Sequence, residues 1–408
     1  MKRSLFIIVT ALVIIVVLSM SGFAQSPASP AKGTIVAPAS TVGLPGIAVR
    51  TPLYIFKPDV IVPANSYPGN AETAGSIACI YGVTPPTTGC PKNSSPIATR
   101  GSKAIAVVEY GANSTLQADF NAFNTHFGLP AQTLQIICAC SSGCPSNNGT
   151  GWDVETALDV EWSHAMAPNA QIIVSEFCND PYSDPPPAAE ARAGTAVAAL
   201  GGGEVSNSFG YGGEFNGELN NDQYMTQSTV VYFASAGDSG LGPDYPSVSP
   251  NVISAGGTHI VRDGSGNFNG VENCWSGSGG GISTMEALPN YQLIIGNRTG
   301  PHRGTPDWAA DADPNSGVGV YSTTGCGGWC QVGGTSLSSP LLAGIVNAAG
   351  SFANHTSSEL SKTYGWYRNP GLYHQYFFDV TAGSNGAPAG PGWDRCTGLG
   401  APRNVVGF

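Results

Sequence analysis

The chain has 408 residues, 41% of them hydrophobic and only 11% charged, with a formal net charge of −11. That length and apolar content are enough for a large buried core and exclude intrinsic disorder. The acidic balance, without a basic cluster, argues against nucleic acid as a partner.

Met1-Lys-Arg-Ser4 precedes an apolar run from Leu5 to Met20, and Gly22-Phe-Ala24 supplies the small residues of a cleavage site. The pattern predicts a signal peptide over residues 1–24 and hence a secreted protein. An uncleaved anchor is the alternative, for which the run is short. No later segment is apolar and long enough to span a bilayer, so no stable membrane association is expected once the signal is removed.

Residues 25–69 are rich in Ala, Pro, Ser and Gly and read as a low-complexity extension or linker, with a possible strand at Leu53–Phe56. From residue 70 the texture changes, and 70–408 reads as one domain. Ala104-Ile-Ala-Val-Val-Glu-Tyr-Gly111 has a buried-strand pattern and Leu116–Phe127 that of an amphipathic helix. Strand Thr133–Cys138, helix Val154–Ala165, strand Gln171–Phe177 and helix Ala188–Leu200 follow. Strands are then expected at Val205–Ser208, Val230–Ser235 and Val252–Ala255. Apolar strands alternating with helices predict an α/β fold with a central, mostly parallel sheet covered on both faces. Ligands of such folds sit beyond the carboxyl ends of the strands.

Ten cysteines in an exported chain predict disulfides. Cys79 with Cys90 and Cys326 with Cys330 are local pairs. Spacing does not decide among Cys138, Cys140, Cys144 and Cys178, with Cys274 and Cys396 remaining. A metal at Cys138, Cys140 and Cys144 is the alternative.

Chemistry concentrates in a few places. Gly333-Gly-Thr-Ser336 delivers a serine to the mouth of an apolar, small-residue run that reads as a helix. Amides and the positive end of the helix dipole suit a developing oxyanion there, although a plain helix cap has the same residues. Glu155 and Asp159 stand four apart on one helix, where carboxylates are neighbours and tend to share a proton. Such a pair serves as a base in acid, where histidine is already protonated. Asp238 follows the apolar strand Val230–Ser235 between glycines. It helps an oxyanion only if it is protonated and donates a hydrogen bond. Gly256-Gly-Thr-His259 looks like the histidine motif of subtilisin-type proteases, but a strand-like segment follows His259 instead of a long helix, so it reads as structural. Asp379 and Asp394 lie in glycine-rich loops whose hard oxygen donors suit calcium.

Together these segments resemble the sedolisins, the serine-carboxyl peptidases, which are acid-acting relatives of subtilisin. The resemblance spans residues 70–408 and implies a subtilisin-like peptidase domain with C-terminal calcium-binding loops. It implies Ser336 as nucleophile, Glu155 as general base, Asp159 as the group that orients it and Asp238 in the oxyanion hole. One structural Ca²⁺ is implied, held by the side chains of Asp379 and Asp394 and the carbonyls of Val380, Gly390 and Gly392. Further matches are Gly279-Gly-Gly-Ile-Ser283, Pro289-Asn-Tyr-Gln292, Arg303-Gly-Thr-Pro-Asp307 and Asp311-Ala-Asp-Pro314. Glu109 matches an accessory glutamate of kumamolisin-like members, and Phe209 stands where relatives often carry tryptophan. The implied function is a secreted, monomeric acid endopeptidase acting on polypeptides through an acyl-enzyme. The alternatives are a catalytically silent, calcium-stabilised binding protein on a peptidase fold and a neutral subtilisin-type protease using His259. The chain departs from the family at its N-terminus, where residues 25–69 stand in place of a long folded prodomain.

Overall fold

Successive side chains of a strand point to opposite faces, so a strand covered on both sides is apolar throughout. Ala104–Tyr110 is buried at every residue. Ile105 and Val107 enter one hydrophobic core, while Ala104, Ala106 and Val108 enter the other. The computed structural model that shows this describes residues 32–405 apart from 60–62, 64–65, 95 and 179–184, so the expected signal peptide lies outside the described residues.

The central sheet runs in the order Trp308–Asp311, Val252–Arg262, Val230–Ser235, Gly203–Asn207, Ala104–Tyr110, Gln171–Phe177, Gln135–Cys138. All these neighbours are parallel. Helices Trp152–Met166 and Thr335–Ala349 belong to the core on one face, and helix Pro186–Ala199 to that on the other. The fold is therefore α/β with a mostly parallel sheet. The expected strand at Val252–Ala255 is longer than its apolar run, because Phe268–Cys274 pairs back on it antiparallel as far as Arg262. His259 thus sits in a strand, with Nδ1 at 3.1 Å from Asp313 Oδ2. No helix among the described residues is long and apolar enough to cross a membrane.

A second, antiparallel sheet joins the N-terminal segment to the residues before Ser336. Its order is Gly33–Val36, Tyr54–Pro58, Gly328–Gly333, Val318–Ser322. Gly33–Val36 and Tyr54–Pro58, in a stretch with little periodicity of its own, are held in this sheet by backbone pairing.

All ten cysteines are paired: Cys79–Cys90, Cys138–Cys144, Cys140–Cys178, Cys274–Cys396 and Cys326–Cys330. The metal alternative at Cys138, Cys140 and Cys144 falls, because each sulfur is already bonded to another.

The motif Arg303-Gly-Thr-Pro-Asp307 is structural. Arg303 Nη2 meets Asp307 Oδ2 at 2.7 Å with both side chains fully buried. The guanidinium also donates to the carbonyls of Ser249 and Val252, at 3.1 and 3.0 Å. Gln292 and Tyr364 donate to Asp307 Oδ1 at 3.1 and 2.9 Å. Removing one partner leaves an uncompensated buried charge, so Asp307→Ala is expected to cost about 3–5 kcal/mol of unfolding free energy. Urea titration of the two proteins measures it, and a loss under about 1 kcal/mol would contradict the network's role.

Candidate active site

Three carboxyl or hydroxyl groups stand at or just past the ends of three adjacent parallel strands. Glu109 closes Ala104–Tyr110, Ser208 follows Gly203–Asn207, and Asp238 follows Val230–Ser235. Two helices complete the group. Every residue of Trp152–Met166 is buried, which rules out a solvated acidic face for Glu155 and Asp159. The second helix, Thr335–Ala349, packs closely on the first at Gly344, where a Cβ would lie 2.6 Å from Met166 Cβ. Its serines explain the small-residue run. Ser339 Oγ meets Ser206 Oγ at 2.8 Å, and Ser338 Oγ donates to Gly256 O at 2.7 Å, pinning the helix to two strands.

Ser336 lies in the first turn of this helix and is buried. Pro340 has no N–H for the Ser336 carbonyl four residues earlier. Ser208 Oγ lies 3.3 Å from that carbonyl and 3.0 Å from Asp159 Oδ1, so its single proton is shared between the nucleophile's backbone and the acidic pair.

Ser336 Oγ and both Glu155 oxygens make no well-formed hydrogen bond among the described residues. The hydroxyl is nonetheless close enough to favour ionised Glu155. Burial and the Asp159 charge act the other way and hold the Glu155 carboxyl well above the usual range. Asp159 is also pushed well up by burial, against hydrogen bonds with Ser208 and Glu109 that pull it down. Glu109 is raised by burial, by Asp159 and by Glu155, and its Oε2 accepts from Thr156 Oγ1 at 3.3 Å. Three neighbouring buried carboxyls oppose one another's ionisation, so the cluster favours holding protons.

Asp238 approaches from the other side. Its Oδ1 accepts from Thr335 N at 2.7 Å and Thr335 Oγ1 at 2.8 Å, which caps the helix that carries Ser336. Its Oδ2 has no hydrogen-bond partner among the described residues. Burial raises this carboxyl to about 7 despite the Thr335 bonds. Because Oδ1 is taken up by the Thr335 donors, a proton on this carboxyl belongs on Oδ2, next to Gly334 and the start of the helix.

This arrangement sets a buried serine between a cluster of buried carboxyls and a further aspartate, Asp238. No protein-family profile matches the chain. It is 28% identical over 351 residues to kumamolisin of Bacillus sp. (strain MN-32), covering 74% of this chain and 59% of that protein. The chain is similar to the sedolisins over about three quarters of its length.

Sedolisin of Pseudomonas sp. (strain 101) is likewise 28% identical, over 361 residues, covering 74% of this chain and 57% of that protein. Tripeptidyl-peptidase 1 of Dictyostelium discoideum is 27% identical over 336 residues, covering 70% and 50%. The chain spans a little over half the length of the first two relatives. The solved structure of Pseudomonas sedolisin, a serine-carboxyl proteinase complexed with two molecules of pseudo-iodotyrostatin, matches with a TM-score of 0.65 at 22% identity. That match covers 84% of this chain and 96% of the sedolisin chain, and shows the shared fold.

The fold brings Ser336, Glu155, Asp159 and Asp238 together with Glu109. It keeps His259 on Asp313. Phe209 is buried against Phe177, with ring centroids 5.9 Å apart, as apolar packing. The sequence pattern gave no role to Ser208, beside Phe209, or to Thr335, beside Ser336. A short polar residue one position from a named one was the available signal. Asp379 and Asp394 both turn toward one loop: Gly392 N donates to the Asp379 carboxylate at 3.0–3.1 Å, and Gly390 N to Asp394 Oδ2 at 3.0 Å.

Proposed function

We propose that this chain is a secreted, acid-acting serine-carboxyl endopeptidase of polypeptides. The observation that carries the reading is the pairing of a buried Ser336 with the Glu155–Asp159 carboxyl system on one side and a half-capped, proton-holding Asp238 on the other. Ser336 Oγ attacks the scissile carbonyl while Glu155 takes its proton, and Asp159, itself held by Ser208, orients Glu155. Protonated Asp238 Oδ2 and the Ser336 amide stabilise the tetrahedral oxyanion. Glu155 returns the proton to the leaving amine, and water then releases the acyl group. The His259 alternative is disfavoured because the side chain that the Ser336 hydroxyl acts on is Glu155, whereas His259 lies in the strand Val252–Arg262.

Activity should fall as pH rises through the Asp238 value of about 7, where the donor becomes an anion facing an anion. Asp238→Ala is expected to lower kcat about 10²–10³-fold at acid pH. Asp238→Asn keeps an N–H donor at every pH, so it should retain more activity than the alanine variant and lose the fall near neutrality. Cleavage of an unfolded protein from acid to alkaline pH with all three proteins tests the assignment. An optimum in the alkaline range would sink it.

We assign one structural Ca²⁺ to Asp379, Asp394 and the carbonyls of Val380, Gly390 and Gly392. Two carboxylates turned onto a single glycine-rich loop offer the oxygen ligands that a hard cation takes. The ion would tie the loop 390–394 to Asp379. A chelator is expected to lower the melting temperature by several degrees and added calcium to restore it, about 3 kcal/mol being gained at a few hundred times Kd. Identical melting curves with chelator and with calcium would remove the ion from the assignment.

A further inference from the structure

Ile105, Val107 and Glu109 alternate along one strand, so Glu109 turns to the same face as these apolar neighbours, toward helix Trp152–Met166. On that helix Thr156 stands three residues before Asp159, on the same side and about one turn away. Its hydroxyl makes the bond usual for a threonine inside a helix, donating to the carbonyl of Trp152 at 2.7 Å. It also has partners that a helix alone does not supply. Glu109 Oε2 lies 3.3 Å from Thr156 Oγ1, and Asn147 Nδ2 donates to Oγ1 at 3.4 Å. Asn147 is itself held, donating to Tyr110 O at 2.9 Å from its side chain and to Ala112 O at 3.1 Å from its backbone. Glu109, Asn147 and Thr156 are all buried.

A hydroxyl has one proton and two lone pairs. With its proton on Trp152 O, Thr156 accepts from a neutral Glu109. With its proton turned to Oε2, it donates to an ionised Glu109. Asn147 occupies the remaining lone pair in both orientations, so only the proton has to move. The bond to the ionised form is the stronger, because a charged acceptor strengthens a hydrogen bond. Glu109 Oε1 makes no well-formed hydrogen bond among the described residues, which leaves it for Asp159. The titratable groups facing Glu109 are Asp159 and Glu155 from the helix and Glu176, paired beside it on the neighbouring strand.

We propose that Thr156 is a positioning residue of the catalytic carboxyl system: its hydroxyl, aligned by Asn147, holds Glu109 against Asp159 whether Glu109 is neutral or ionised. This rests on the peptidase reading above. Thr156 acts on the base through the side chains of Glu109 and Asp159. Loss of the hydroxyl removes a donor that favours ionised Glu109, so the cluster gives up its proton only at higher pH.

The test follows turnover of a fluorogenic peptide against pH for the full chain, Thr156→Val, Thr156→Ser and Glu109→Gln, with Ser336→Ala as the blank. Valine keeps the shape of threonine and removes the hydroxyl. Thr156→Val is expected to lower kcat about tenfold at acid pH with KM nearly unchanged, and to move the acid limb of kcat up by about one pH unit. Thr156→Ser, which keeps the hydroxyl, should restore both. On Glu109→Gln the valine change should add little, since both remove the same interaction. Should valine fail to fold, Thr156→Ala takes its place, alanine being the best helix former. A Thr156→Val profile that matches wild type, a loss equal at every pH, a Thr156→Ser variant as impaired as the valine, or a full extra loss on Glu109→Gln would each overturn the role of Thr156. All four leave the peptidase reading standing. A wild-type chain with no turnover above that of Ser336→Ala would refute both.

Discussion

Ser336→Ala is expected to lower peptide-bond turnover on the order of 10⁶-fold at acid pH while leaving the melting temperature almost unchanged. The size follows from the absence of any second nucleophile in the arrangement. Glu155 has nothing to deprotonate without the hydroxyl, and Asp238 is left to stabilise only attack by water. The unchanged stability follows from the hydrogen bonding. Ser336 Oγ has no well-formed partner among the described residues, so its removal strands no buried donor or acceptor. Alanine is also favourable in the first turn of a helix. Groups that act as a unit are not additive, so Ser336→Ala combined with Glu155→Gln should cost little more than either change alone. Turnover of a purified protein substrate measures the effect. Residual activity within about tenfold of wild type would place the nucleophile elsewhere.

The second large effect is a loss of stability toward neutral pH. Glu190 is held at about 8 by burial and, secondarily, by the Asp222 charge. Glu272 is held at about 7 by burial, against hydrogen bonds from Thr258 and Tyr81 that pull it down. Burial also keeps Glu161, Glu204 and Asp311 well above the carboxylate range. Glu190 and Glu272 are 1% and 3% exposed. Between the unfolded value near 4.5 and these folded values, the folded chain binds more protons than the unfolded one. Unfolding free energy must therefore fall as pH rises. The contribution is complete below about pH 4.5 and is lost as pH climbs through 7 to 8. For Glu190 alone the full change is about 3–5 kcal/mol, a large share of the stability of an ordinary domain. Melting temperatures from acid to mildly alkaline pH, measured on Ser336→Ala to prevent self-digestion, should decline steadily. A flat or rising profile would show that these carboxyls carry compensating partners. The decline in activity and the decline in stability have separate causes, Asp238 for the first and the buried glutamates for the second.

Much of the central sheet was legible because apolar strands alternate with helices, and burial on both faces leaves a plain pattern. Leu116–Phe127, Gln171–Phe177 and Val230–Ser235 have the boundaries expected of them. Ends set by pairing were less legible. The strand from Val252 continues through polar His259 because its hairpin partner, not its own composition, sustains the ladder. The motif Arg303-Gly-Thr-Pro-Asp307 could be recognised but not interpreted, since its purpose depends on Gln292 and Tyr364 from distant parts of the chain.

By itself the sequence determined the chemistry available: a serine on a glycine turn, two carboxylates one helical turn apart, and an aspartate after a buried strand. Residue type and local spacing are enough for that, because a helix repeats every 3.6 residues and a strand every two. Tertiary structure decided which carboxyls are buried together, that Asp238 keeps one oxygen uncommitted, and that Thr156 meets Glu109. None of these is a local property. Desolvation depends on what packs around a group, and a strand such as Tyr54–Pro58 finds its partner through backbone groups that every residue carries alike.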